Sequence, residues 1–195
     1  MQKAYYGLLM VIFMSACKKD KPVVQEPSTP HPVMQYLDLH DESLFFGGTR
    51  IIDVNSDGMQ DFLFSTLLVG DPVLQRDRRQ FYISSSTTSH LLMDLNDQSP
   101  VFSSNAEIKL QHNGYQWFEV VSLLLAEKII PVAGSQFWQG AWKDLNHKFI
   151  GIQVKKNGNI HNGWIEISFS TAAEKIIFHR AAISTEPGKA VQAGL

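Results

Sequence analysis

Along most of the chain, apolar residues come in short runs or alternate with polar ones, and clusters of Gly, Asn, Asp and Pro separate the runs. In residues 164–169, Ile165, Ile167 and Phe169 alternate with Trp164, Glu166 and Ser168, a period of two that sends one set of side chains to a buried strand face. The runs are rich in Val, Ile, Phe and Tyr, which pack well on a pleated surface. This pattern predicts strands near residues 34–39, 50–54, 61–69, 79–84, 90–95 and 107–111, and again near 148–155, 159–170, 175–184 and 190–193. Asn157-Gly158-Asn159 predicts a tight hairpin, because Asn and Gly tolerate positive φ. The stretch 118–130 reads two ways. Phe118, Val121, Leu125 and Ile129 fall at helical spacing, against the β-branched content, so one short helix near 118–130 is among the expectations. Many short strands with turn punctuation favour an all-β, antiparallel sandwich-like domain over a parallel α/β fold.

The first residues break the pattern. Lys3 opens a positive start, and an apolar run from Ala4 to Met14 follows, interrupted only by Gly7. It falls short of the ~20 residues a membrane-spanning helix needs. The run closes in Met14-Ser15-Ala16-Cys17, and small residues before a cysteine resemble the lipobox of bacterial lipoprotein signal peptides. That resemblance implies removal of residues 1–16 and acylation of Cys17. It also implies export and a lipid anchor in the outer membrane, on its periplasmic or cell-surface face. Acyl chains contribute ~0.8 kcal/mol per buried CH₂, so two or more anchor a protein stably. Pro22, Pro27, Pro30 and Pro32 then make up half of the eight prolines, so residues 17–32 read as a lipidated cysteine and an extended tether. Cys-Lys-Lys-Asp-Lys before such a tether is similar to lipoproteins of Bacteroidetes-type bacteria. Residues 33–195 read as one β-rich domain.

Composition narrows the partners. A formal charge of −2 argues against nucleic acid, which wants a basic face. With Cys17 the single cysteine, no disulfide forms within the chain, and packing, with or without metal, must stabilise it. The 44% apolar and 11% aromatic content is enough for a core.

The sharpest chemical signal is Asp53-Val54-Asn55-Ser56-Asp57-Gly58-Met59-Gln60-Asp61. Oxygen-bearing side chains at alternate positions and a glycine at the sixth match the start of an EF-hand loop, whose ligands suit a hard cation such as Ca²⁺. The position of the bidentate glutamate is Phe64, and strands rather than helices flank the loop. The segment therefore resembles the shortened calcium loops of FG-GAP and VCBS-type β modules. The resemblance implies Asp53, Asn55, Asp57, Met59 through its carbonyl, and Asp61 as ligands of a structural Ca²⁺. Extracellular modules of this kind bind at only about 10⁻⁴–10⁻³ M.

A looser resemblance covers more of the chain. Gly47 and Gly48, the loop 53–61, Phe149-Ile150-Gly151-Ile152, His161-Asn162-Gly163-Trp164-Ile165 and Pro187-Gly188 follow one another in the order of a functionally uncharacterised secreted β domain of bacterial lipoproteins. Asn162 stands where that pattern carries an aromatic.

No catalytic motif is present: G-x-S-x-G, P-loop and G-x-G-x-x-G are all absent. His31, His40, His90, His112, His147, His161 and His179 are scattered, with no i, i+4 pair to hold zinc. Trp138 and Trp142 are the candidate stacking residues, since exposed aromatics stack on sugars. Two functions follow. The first is a lipid-anchored, calcium-stabilised envelope module, non-enzymatic, engaging a glycan or a surface protein. The second is a carbohydrate-active or other hydrolase with carboxylates paired only in space.

Overall fold

The computed structural model describes residues 31–195. The signal segment, Cys17 and the tether through residue 30 lie outside the described residues, and the lipidation site with them. In chain order the strands are β1 (Met34–Phe45), β2 (Thr49–Ile52), β3 (Phe62–Asp71), β4 (Arg76–Ser85), β5 (Ser89–Met93), β6 (Glu107–Ile108) and β7 (Gln116–Glu119). They continue with β8 (Ser122–Pro131), β9 (Phe137–Gln139), β10 (Lys148–Lys156), β11 (Asn159–Ser170), β12 (Lys175–Ser184) and β13 (Val191–Gln192). The fold is all-β, and every pairing is antiparallel.

One sheet runs β1-β12-β11-β10-β5-β7 and the other β2-β3-β4-β8-β9, with β13-β6 a small third. Inward side chains of the two large sheets meet in one core, where Phe64 packs edge-on against Phe178 at 4.7 Å and Phe81 against Phe169 at 5.1 Å. Ile165, Ile167 and Phe169 belong to that core, as their alternation predicts. Trp164 points to the opposite face and is buried in a second cluster with Leu92, Phe102, Ile108, Phe149 and Val191. The β13-β6 pair contributes Val191 and Ile108 to this cluster and so helps to cover the outer face of the six-stranded sheet.

The expected helix near 118–130 is not formed; β7 and β8 occupy the stretch. The reason lies in a bulge. Phe81 pairs with Ala126 and Tyr82 with Leu124, so Leu125 is an extra residue in the ladder. Leu123, Leu125 and Ala126 all join the core, which breaks the strict alternation expected of a strand. Val120, at φ 52°, separates the two strands.

Two further bulges lie side by side. β1 shifts register between Asp38 and Glu42, and β12 shifts against β11, where Arg180 pairs with Glu166 but Phe178 with Ile167. His179 therefore has no partner on β11. Phe178 and Ala181 both face the core, so His179 and Arg180 leave it together on the outer face.

Candidate functional site

The loop between β2 and β3 is built by its own side chains. Asp53 accepts the Asp57 amide at 3.2 Å and the Gly58 amide at 2.7 Å, and Asn55 Oδ1 accepts Asp57 N–H at 3.0 Å. Asp57 Oδ1 in turn accepts Met59 N–H at 2.9 Å. Gly58 sits at φ 87°, a conformation that L side chains rarely adopt. Asp53, Asn55 and Asp57 thus share one turn, and their oxygens keep lone pairs beyond these amide bonds.

Asp61 stands apart from them. It is 2% exposed and accepts Val54 N–H at 2.9 Å and the Ser89 hydroxyl at 3.1 Å, so both of its oxygens close the base of the loop. Burial raises its pKa, and the nearby charges of Asp53 and Asp57 raise it further, against the two hydrogen bonds. Among the described residues no three His, Cys, Asp or Glu side chains are gathered around one metal position. The donors on the turn suit a hard cation in kind, and in number only with water completing six to eight oxygens.

Beside the loop lies a cavity of about 310 Å³, within the ~300–1,000 Å³ range of small-ligand sites. Asn55 belongs to both: it lines the cavity, and its carbonyl accepts the Gln35 amide at 3.0 Å. From the hairpin between β10 and β11 come Lys156, Asn157, Asn159 and His161, over a floor of Val154 and Ile183. Ser184, Thr185 and Pro187 form the far wall. Val33, where the chain enters the domain, bonds to this wall through Thr185 and Glu186. His161 Nδ1 lies 2.9 Å from the Ser184 carbonyl. A carbonyl only accepts, so Nδ1 carries a hydrogen, and in the neutral ring Nε2 is an acceptor. Behind it, Asn162 is fully buried, accepting from Gln153 at 2.9 Å and donating to the Lys189 carbonyl at 2.6 Å. An aromatic there would leave both partners unmatched.

The core takes up the two tryptophans expected to stack on a ligand, Trp142 wholly and Trp138 in part. Trp142 is 1% exposed and belongs to the main core. Trp138 is half-buried, packed on Phe81 at 6.0 Å and Phe169 at 5.5 Å. Both contribute core volume, because β9 and the turn after it fold back against β8.

Two histidines that look unrelated in sequence are neighbours. The rings of His147 and His179 stack at 4.0 Å and 24°. His147 Nδ1 is 2.8 Å from Glu166, and His179 Nδ1 is 2.5 Å from Asp41. Arg180 also donates to Glu166, at 2.7 Å. Burial works to raise the Glu166 pKa, but the bonds from Arg180 and His147 outweigh it and hold the carboxyl below its ordinary value. His40, Asp41 and His147 all carry positive φ, so backbone strain gathers here with the bulges.

Asp41, His179 and Ser168 form a chain with the connectivity of a serine-hydrolase triad, Ser168 Oγ being 2.7 Å from His179 Nε2. It does not work as one. Ser168 is 5% exposed, donates to Asn146 at 2.7 Å and accepts the His147 amide at 3.0 Å. The open depression above the cluster is lined by Asp41, His147, Glu166, His179 and Arg180 among others, and Ser168 does not reach it. A nucleophile must meet substrate, and this hydroxyl holds the histidine in place instead. Only the break in alternation at Phe178-His179-Arg180-Ala181 hints at this cluster in the sequence. Comparison with protein-family models, with curated proteins and with solved structures gives no match to this chain.

Proposed function

We propose that this protein is a lipid-anchored module of the bacterial cell envelope, exported and tethered through Cys17, that binds a polar ligand and does not catalyse. In this reading Asp53, Asn55, Asp57 and the Met59 carbonyl hold a weakly bound structural Ca²⁺, and Asp61 braces the loop from below. The observation that carries it is the cavity beside that loop, lined by amides, hydroxyls, an imidazole and one ammonium. Hydrolysis by paired carboxylates needs two carboxyls about 5–10 Å apart across one cleft, and this lining contributes none. Calcium on the loop would stiffen Asn55, and through its carbonyl Gln35, so metal and ligand support one another.

The test has two arms. In cells, radiolabelled palmitate should mark the wild-type chain and not Cys17→Ala. In solution, the soluble domain should be retained on arrayed envelope glycans or surface proteins, and less so in chelator. Equal label in both chains overturns the anchor. Release of reducing ends from the arrayed glycans overturns the binding-only reading.

A further inference from the structure

The cavity beside the loop has a chemical character narrower than "polar". Its lining carries both unengaged acceptors and unengaged donors. Gln35 uses its amide nitrogen on the Asn55 carbonyl, which leaves Oε1 facing no protein donor among the described residues. His161 uses Nδ1 on Ser184 and keeps Nε2 as an acceptor. Asn159 gives only a long 3.5 Å contact from its amide nitrogen to the Asn157 carbonyl, which leaves Oδ1 as well. Donors stand opposite in kind: Asn55 takes the Asp57 amide on Oδ1 and keeps its own NH₂ group. Lys156 is the only lining side chain with a permanent charge.

Several ligand classes fit such a wall badly. A cation would meet an ammonium and no carboxylate. A purely apolar ligand would strip water from amides without replacing their hydrogen bonds, a cost of about 1–3 kcal/mol for each group left unmatched. A ring bearing neighbouring hydroxyls fits, because each hydroxyl both donates and accepts. Val154 and Ile183 close the floor with their edges only, both being almost fully buried, so the polar rim carries the contact. The wall is also preformed: Ser184 donates to Glu186 at 2.8 Å, and Thr185 is bonded to Val33 through both its amide and its hydroxyl. Preformed walls lower the ordering cost of binding.

We propose that this cavity is a subsite for one sugar residue of an envelope glycan. Gln35, Asn55, Asn159 and His161 bond its hydroxyls, and Lys156 selects an acidic sugar over an amino sugar. This rests on the binding-module reading and adds the ligand class. Because Lys156 is exposed, its preference is modest, of the order of threefold, as for a single surface ion pair. Losing one neutral hydrogen bond weakens binding by about two- to tenfold.

The test is an NMR titration of isotope-labelled residues 31–195, which form one compact unit, with glucuronate, glucose and glucosamine. Saturable shifts are expected at Gln35, Asn55, residues 154–161 and residues 183–187, with affinity falling in that order of sugars. Asn159→Ala, an exposed hairpin position, should weaken glucuronate two- to tenfold without lowering Tm. Lys156→Gln should abolish the difference between glucuronate and glucose; a difference that persists would overturn the role of Lys156. If no sugar shifts these residues, yet the domain is still retained on intact envelope glycan or protein, the sugar subsite is wrong and the binding-module reading stands. If retention is also absent, both fall.

Discussion

Asp61 offers the sharpest separation between a carboxylate that braces a loop and one that ligates a metal. Replacing it by alanine removes the acceptor of Val54 N–H, and Val54 is itself fully buried. An orphaned buried donor costs about 1–3 kcal/mol. For a domain of this size that is a fall in Tm of roughly 2–4 °C per kcal/mol. Asparagine keeps one oxygen for Val54, and the Ser89 hydroxyl, which now donates to Asp61, can turn to accept the new amide. Its cost should stay below about 1 kcal/mol. The two variants therefore separate by several degrees.

The pH dependence carries a sign. Because burial and the charges of Asp53 and Asp57 raise the folded pKa, the contribution of Asp61 is fully present below its unfolded pKa. It is lost as pH rises through the raised folded value. Without metal, the stability of wild type minus that of Asp61→Asn should fall as pH rises from the acid side towards neutrality. Calcium at 100 times its Kd adds ~2.7 kcal/mol by mass action, and the asparagine variant, whose turn still holds Asp53, Asn55 and Asp57, should keep a large part of it. Thermal melts followed by circular dichroism, across pH and with calcium or chelator, read every one of these quantities. Coincident melting of the alanine and asparagine variants would refute the bracing role. A calcium response abolished by asparagine alone would make Asp61 a ligand after all.

Trp142→Ala should cost about 3–5 kcal/mol, since the whole indole is in the core, and denaturant melts will show whether it instead behaves as a surface residue. Gly163→Ala should be among the most damaging small substitutions, because its Cβ would lie 2.2 Å from the Ala182 carbonyl oxygen; soluble yield and Tm equal to wild type would contradict this. Glu166→Gln should destabilise near neutral pH and less in acid. The Glu166 carboxyl has a lowered folded pKa, so its contribution is present above its unfolded pKa and lost as pH falls through the folded one. A wild-type-minus-variant difference that grows in acid would reverse that assignment.

The sequence carries the strands wherever apolar and polar positions alternate. The alternation of 164–169 and the Asn157-Gly158 turn appear in place, with Asn157 at φ 51° and Gly158 at φ 79°. The two glycine-bearing segments also meet as paired strands, Gly151 opposite Trp164 and Ile152 opposite Gly163. Bulges defeat the same logic. At Leu125 an added residue sends two consecutive apolar side chains inward, and at His179 another sends two consecutive polar side chains outward. The loop 53–61 is legible because its side chains bond its own backbone, whereas Asp61 looks identical to them in sequence and differs only by what covers it. The cavity has no sequence signature, since its walls come from β1, from the hairpin between β10 and β11, and from residues after β12.

The pairing of β1 with β12 has a consequence for how the chain comes to be folded. Met34 lies opposite Ser184, and the Thr185 hydroxyl reaches the Val33 carbonyl across 152 positions, so the first strand finds its neighbour only when the last long strand is present. Contacts this distant in sequence slow folding, because the closing entropy of a long loop comes before any reward from pairing. A chain synthesised from its N-terminus thus carries an unpaired, aggregation-prone edge until β12 arrives. Truncation before Lys175 would remove the partner of both β1 and β11 and leave such an edge for good. The five-stranded sheet differs, since β2, β3 and β4 pair in chain order and can close long before β12 is made.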